Sequence, residues 1–219
     1  IWPAVSTTVL QERFGRFAIR TILGKGGFGK VFRAYDPLTD REIALKVPTF
    51  GADETDKVER FTREAKAAGR LRHPNIVLVL ESGLVGDQLF IASEFIDGKT
   101  LAAVLREGKP ERKRAVQWAQ AMAEGLAYAH GEGIIHRDVK PQNTMIDRLG
   151  RPQIMDFGLA KRVDGAVRTA TGLILGTPEF MAPECFRGAA AGPPADVYAT
   201  GCLAFTTSAS SPGPRTCAA

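Results

Sequence analysis

The stretch Ile135-His136-Arg137-Asp138-Val139-Lys140-Pro141-Gln142-Asn143, with Asp156-Phe157-Gly158 thirteen residues after Asn143, constrains this chain more than any other feature. Five fixed residues in the pattern H-R-D-x-K-x-x-N arise by chance in roughly one chain in ten thousand of this length, before the second motif is counted. Any fold assigned to the chain therefore has to account for them. There is enough chain to do so: 219 residues, 44% of them hydrophobic, suit one substantial core or two small lobes and exclude a disordered or fibrous protein.

Charge narrows the partners. A formal net charge of +5 suits an anionic ligand such as a nucleotide, but Lys and Arg are scattered rather than gathered in a block, so nucleic-acid binding is not expected. Cys185, Cys202 and Cys217 show no C-x-x-C spacing and form neither a metal cage nor a disulfide framework, which fits a reducing, cytoplasmic setting. No apolar run approaches the length of a membrane span, and Ile1 to Leu10 lacks the pattern of a signal peptide. The chain opens at Ile1 without a methionine, as a piece of something longer would.

From Phe17 to Val47 the pattern predicts an antiparallel meander: Phe17, Ile19 and Leu23, then a glycine cluster, then Val31 to Tyr35 and Ile43 to Val47 around a turn at Pro37 to Arg41. The period then changes. Val58, Phe61, Ala65, Ala68 and Leu71 predict an amphipathic helix, with Asp56 and Glu59 as an N-terminal cap. Ile76 to Leu80 and Gln88 to Phe95 return to short apolar runs around a Gly83 to Asp87 turn. After Asp97-Gly98 the character is helical, most clearly from Arg114 to His130, where Val116, Ala119, Ala123, Leu126 and His130 share a face. The expected units are an extension at 1–16, a strand-rich lobe and hinge at 17–96, a helical lobe at 97–205 and an irregular tail at 206–219.

Gly24-Lys25-Gly26-Gly27-Phe28-Gly29 satisfies G-x-G-x-x-G, in which bare backbone can lie against phosphate oxygens. Alone this is weak, since three fixed glycines arise by chance in about a quarter of chains so rich in glycine. Context helps: a dinucleotide fold needs a helix at Gly29, whereas Lys30 to Tyr35 reads as a strand. In the strand Ile43 to Val47 the period of two puts Ala44 and Lys46 on one face, so a small residue and a cation point into the same cleft. A lone strand lysine is usually a solvated face. Glu64, beside its helix's apolar stripe, supplies the carboxylate that Lys46 would need as partner.

These motifs in order, together with Ala182-Pro183-Glu184, resemble the eukaryotic-like serine/threonine protein kinase family in the style of its bacterial members, over about Phe17 to Phe205. The resemblance implies a two-lobed α+β fold with ATP and Mg²⁺ in the cleft between a strand-rich lobe and a mainly helical one. It implies that Leu23, Gly24, Lys25, Gly26, Gly27, Phe28, Gly29 and Val31 cover the nucleotide, that Ala44, Glu94, Ile96 and Met145 border its base, and that Lys46, paired with Glu64, holds the α- and β-phosphates. Asn143 and Asp156 become the Mg²⁺ ligands, Asp138 the residue that orients the acceptor hydroxyl and takes its proton, and Lys140 the cation that steadies the transferring phosphate.

Lys140 is generally replaced in tyrosine kinases, so with Thr177 it points to Ser/Thr acceptors on protein substrates. Arg137 resembles the arginine of family members switched on by activation-segment phosphorylation, with Thr169 and Thr171 the nearest autophosphorylation candidates. Ser93 occupies the gatekeeper position before Glu94-Phe95-Ile96, where it either leaves room behind the adenine or fills core.

Two rivals remain. An inactive ATP-binding scaffold usually lacks one of the residues Lys46, Asp138 and Asp156, which are all present; a small-molecule kinase generally lacks the peptide-docking segment, here Gly176 to Glu184. In the family Asp196 opens a long buried helix that braces the catalytic loop, and further helices follow. Thr206 to Ala219 instead contains no large apolar residue and a Ser-Pro-Gly-Pro run, so this stretch is expected to be irregular. Glu184 would then lack its arginine, the helical lobe would expose apolar surface, and this chain by itself would be unstable and weakly active or inactive.

Overall fold

The computed structural model describes residues 13–26, 29–49, 55–157 and 178–208. The first half is a six-stranded sheet: β1 (Arg13–Phe14), β2 (Phe17–Gly26), β3 (Gly29–Asp36), β4 (Arg41–Val47), β5 (Val79–Val85) and β6 (Gln88–Glu94), in the order β1-β2-β3-β4-β6-β5 with antiparallel neighbours. The expected meander is there, and alternation explains which face is core. Ile43, Leu45 and Val47 are buried with Phe17, Ile19, Ala34, Phe90 and Ala92, while Ala44 and Lys46 line the cleft on the other side. The turn after β6's partner is tighter than expected, two residues at Gly86 and Asp87, with Gly86 at φ +57°.

Helix α1 (Thr55–Ala68) buries Phe61 and Ala65 against Leu89 and Ile91 of β6. It begins one residue before Asp56, which puts Asp56 inside the first turn and not ahead of it.

The second half is mainly helical. It contains α2 (Leu101–Glu107), α3 (Arg112–Gly131), α4 (Pro183–Phe186) and α5 (Pro193–Ser208), with a small sheet of β7 (Gly98–Thr100), β8 (Thr144–Asp147) and β9 (Pro152–Ile154) on the cleft side. Thr100 caps α2 by accepting a 3.2 Å bond from the Ala103 amide. Trp118, Met122, Leu126 and Ala129 of α3 pack with Ala199 and Leu203 of α5 and with Leu71, Ile76 and Ile154, so one core joins the helices to the loop between α1 and β5.

Two expectations need correction here. The buried face of α3 is Ala115, Trp118, Met122, Gly125, Leu126 and Ala129, not the set built on Val116 and Ala123, both of which are exposed. Trp118 decides the rotation: it is the largest apolar group on the helix, and its indole N–H reaches the Gly150 carbonyl at 2.8 Å. The stretch expected to be irregular from Thr206 begins as helix, because α5 runs to Ser208. Thr206, Thr207 and Ser208 donate their hydroxyls back to the carbonyls of Cys202, Leu203 and Ala204, replacing water as partner. Residues 209–219 lie outside the described residues. Val197 and Phe205, eight residues apart on α5, are 65% and 74% exposed, so the helix does present an apolar face.

Gly29 opens β3 at φ +119°, and a Cβ there would collide with the Val47 carbonyl and with Pro48. Gly29→Ala is expected to destabilise the chain by about 2 kcal/mol, whereas Gly24→Ala, with open space around its Cβ, should change it by under about 1 kcal/mol. Thermal melts of the two variants measure the difference; equal losses would contradict the assignment.

Candidate active site

A cleft of about 370 Å³ lies between the six-stranded sheet and the helical half. Leu23, Gly24 and Val31 form its roof, Ala44 and Lys46 its back wall, Glu94 to Asp97 its edge, and Met145 with Asp156 its floor. Leu23, Gly24, Val31, Ala44, Lys46, Glu94, Ile96, Met145 and Asp156 therefore stand together as the sequence suggested. Lys25, Gly26 and Gly29 sit at the β2–β3 hairpin tip beyond the lining, with Gly26 paired to Gly29. Gly27, Phe28, Gly158, Thr169, Thr171 and Thr177 lie outside the described residues.

The loop that carries Asp138 lies below the cleft. Asp138 Oδ2 accepts from Lys140 Nζ at 2.7 Å and from Asn143 Nδ2 at 3.0 Å, and Asn143 Nδ2 also donates to the Asp138 carbonyl at 2.9 Å. A carboxylate, an ammonium and an amide are thus locked together. Committing the Asn143 nitrogen to Asp138 turns its amide oxygen to the role of acceptor or cation ligand. The Asn143 carbonyl accepts from the Met155 amide at 3.0 Å, which ties this loop to the segment that presents Asp156.

The loop is bent hard. Arg137 and Asp156 hold φ of +67° and +65°, a region that costs a non-glycine residue roughly 1 kcal/mol or more. The Asp196 carboxylate at the start of α5 offsets this for Arg137. Its Oδ1 accepts the Arg137 amide at 2.8 Å, and its Oδ2 accepts the His136 amide at 2.8 Å and lies 2.8 Å from His130 Nε2. At 1% exposure it is one of the most buried charged side chains described, and it braces the loop that carries Asp138 from below. The α3 pattern gave His130 only as a core-facing residue; its role as Asp196's partner depends on the fold and not on sequence spacing.

Lys46 and Glu64 are not paired, contrary to expectation. Lys46 Nζ bonds Asp156 Oδ1 at 2.8 Å, and Glu64 Oε1 faces Arg137 Nη1 at 3.5 Å. The physical reason is competition. A half-buried carboxylate on the cleft floor takes the cation within reach, Lys46, and α1 leaves Glu64 facing Arg137 instead. Burial pushes the Asp156 carboxyl up, but the charge and hydrogen bond of Lys46, with Lys140 behind them, hold it below the usual carboxylate range. Lys46 thus favours the charged form of Asp156.

His136 is fully buried, edge-on to Phe157 at 4.7 Å between ring centres. Its Nε2 donates to the Met155 carbonyl at 2.9 Å and its Nδ1 accepts the Asp138 amide at 3.1 Å, which fixes one neutral tautomer. Burial lowers its pKa below the ordinary 6.5, against the Met155 bond and the charges of Asp196, Asp138 and Asp156. With the folded value below the unfolded one, the unfolded chain takes up the proton first as pH falls. Stability is expected to decline as pH drops below about 6.5, and less steeply in His136→Gln. Denaturant titrations between pH 7.5 and 5.5 measure both slopes; parallel slopes would remove His136 as the cause.

The donor set fits Mg²⁺ with a nucleotide better than a closed metal cage. Among the described residues no three His, Cys, Asp or Glu side chains gather as a cage requires. Asn143 and Asp156 would offer two hard oxygen ligands, the number suited to a Mg²⁺ ion that keeps waters and phosphate oxygens in its shell.

Comparison with known proteins agrees with this geometry. Residues 17–213 match the model of the protein kinase domain. The chain is 41% identical to the serine/threonine-protein kinase pkn3 of Myxococcus xanthus over 87% of its own length and 37% of the relative's. It is 36% identical to PrkC of Bacillus subtilis over 87% of the chain and 30% of the relative, and 42% identical to PknK of Mycobacterium tuberculosis over 84% and 17%. The chain thus spans little more than a third of these relatives at most. The solved kinase domain of Mycobacterium tuberculosis PknI superposes with a TM-score of 0.73 at 28% identity, covering 90% of this chain and 74% of that one. On this evidence the chain belongs to the protein kinase family and resembles its bacterial serine/threonine members.

Proposed function

We propose that this chain transfers the γ-phosphoryl group of ATP to serine or threonine hydroxyls of protein substrates. The observation that carries the reading is the Asp138–Lys140–Asn143 cluster held beneath a cleft whose floor and back wall are Asp156 and Lys46. Phosphoryl transfer needs positioning and charge neutralisation more than covalent help, and these residues supply both.

Asp138 Oδ2, steadied by Lys140 and Asn143, accepts the proton of the attacking hydroxyl as its oxygen bonds the γ-phosphorus and the bond to the β–γ bridging oxygen breaks. Lys46 leaves Asp156 for the α- and β-phosphates, which frees Asp156 and the Asn143 oxygen to hold the cation. Mg²⁺, when bound, neutralises charge on the phosphate oxygens. Glu64 then becomes available to Lys46 as α1 draws away from Arg137, so the arrangement described is a resting one.

A reducing, cytoplasmic setting is proposed on the spacing of Cys185, Cys202 and Cys217, which offers no C-x-x-C pair and no disulfide framework. No helix among the described residues is long and apolar enough to cross a membrane. Thr169 and Thr171 are kept as autophosphorylation candidates on their nearness in sequence to the catalytic motifs.

Incubation with labelled ATP, Mg²⁺ and a basic protein, followed by phosphoamino-acid analysis, tests the acceptor. Label on phosphoserine or phosphothreonine is expected; label confined to phosphotyrosine would overturn the reading.

A further inference from the structure

The segment that forms the edge of the cleft belongs to no strand. β6 ends at Glu94, where it pairs with Ile43, and β7 begins at Gly98, so Phe95, Ile96 and Asp97 join the two halves of the molecule outside both sheets. Backbone without ladder bonds opens more readily than strand unless side chains tie it down. Two arginines do so, one from each half. Arg148, in the turn after β8, donates its amide to the Asp97 carbonyl at 3.1 Å and its guanidinium to the Asp97 carboxylate at 2.7 Å. Arg33 of β3 holds the other end, its guanidinium carbon 4.7 Å from the centre of the Phe95 ring.

Strand register puts Arg33 in that place. Val31, Arg33 and Tyr35 of β3 pair with Lys46, Ala44 and Glu42 of β4, and cross-strand partners share a face. Val31, Ala44 and Lys46 line the cleft, and Arg33 is the next side chain outward on the same face of β3. Glu42 is its diagonal neighbour. Arg33 Nε donates to Glu42 Oε2 at 2.9 Å, while Glu42 Oε1 faces Arg20 Nε at 3.6 Å. A guanidinium held by its edge in this way keeps its place over the ring, where an unheld surface arginine would leave for water. The proposed transfer gives neither Arg33 nor Phe95 a part.

We infer that Arg33 is a positioning residue for the nucleotide: by stacking on Phe95 it fixes the edge of the cleft, and so sets nucleotide affinity without touching the reacting atoms. The inference rests on the nucleotide reading of this same cleft. Phe95 borders the cleft between Glu94 and Ile96, so releasing its ring loosens the segment against which a base is held, and binding then has to order that segment first. The transfer step is left alone, because Asp138, Lys140 and Asn143 contact one another in the helical half and share no residue with the stack.

Calorimetric titration of ADP with Mg²⁺ into the wild-type chain, Arg33→Gln, Phe95→Leu and the double variant tests this as a cycle. Arg33 is 44% exposed, so glutamine there leaves the fold intact. Arg33→Gln is expected to weaken ADP by about three- to fivefold, the range of a solvent-accessible cation–π contact, and to change it by under about 1.5-fold once Phe95 is leucine. Phe95→Met, which also lacks a ring, completes the cycle if the leucine variant does not fold. In transfer from ATP to a basic protein, Arg33→Gln raises KM for ATP by the same factor and keeps kcat within about twofold. An Arg33→Gln chain that binds ADP as the wild type does, or that weakens it equally in both backgrounds, overturns the inference. A loss of kcat at unchanged KM overturns it as well. Failure of the wild-type chain to bind ADP at all overturns the nucleotide reading, and the positioning role with it.

Discussion

Asp138→Asn is expected to lower phosphoryl transfer by about 10²- to 10⁴-fold while leaving Mg²⁺–ADP affinity within about threefold. The substitution keeps the shape of the side chain and its neighbourhood, including Lys140 Nζ at 2.7 Å and Asn143 Nδ2 at 3.0 Å. It removes the negative charge and the capacity to take a proton. Neither is needed to bind nucleotide in the cleft, whose lining residues do not include Asp138. Transfer rates and ADP titrations on the same preparation separate the two effects. A parallel collapse of ADP binding would show that Asp138 holds nucleotide and not the acceptor.

Asp196→Ala should produce the largest loss of stability of any single change in the site, about 3–5 kcal/mol. The carboxylate is 1% exposed and is the acceptor for the His136 and Arg137 amides, each at 2.8 Å, with His130 Nε2 at the same distance. Alanine leaves two backbone N–H groups without an acceptor in a place water does not reach, and it releases Arg137 from the positive φ that the bond sustains. Because Arg137 precedes Asp138, activity falls as well, beyond what the folded fraction accounts for. Urea unfolding reads the stability change as a shift of the midpoint at constant slope. A loss below about 1 kcal/mol would mean that the loop holds its bend without Asp196.

Much of this site was legible in the sequence, because local chemistry fixed it. The period of two in Ile43 to Val47 put Ala44 and Lys46 on the cleft face and Ile43, Leu45 and Val47 in the core, and the structure has them there. The H-R-D-x-K-x-x-N spacing puts Asp138, Lys140 and Asn143 within one turn of chain, so their mutual contacts need no distant element.

What was not legible depends on distance or on competition. Glu64 and Lys46 each called for a partner, and charge complementarity matched them, yet Asp156 and Arg137 are equally complementary and closer in this fold. Sequence pattern ranks partners by sign and not by separation. The α3 face was misjudged for a related reason: alanines carry little directional signal, and the position of Trp118 against Gly150 set the rotation. The end of α5 was misread because Thr206, Thr207 and Ser208 are poor helix formers by propensity but satisfy their hydroxyls on the preceding turn.

The central claim is that these residues move a phosphoryl group to a protein hydroxyl and not to water. Phosphorus NMR of the chain with ATP, Mg²⁺ and a serine- and threonine-containing basic protein tests it most directly, since it follows every phosphorus atom at once. The account predicts that each γ-phosphoryl group lost from ATP appears as a phosphomonoester on the protein, in step with ADP and only with Mg²⁺ present. Unchanged ATP, or conversion to ADP and inorganic phosphate alone, would contradict it.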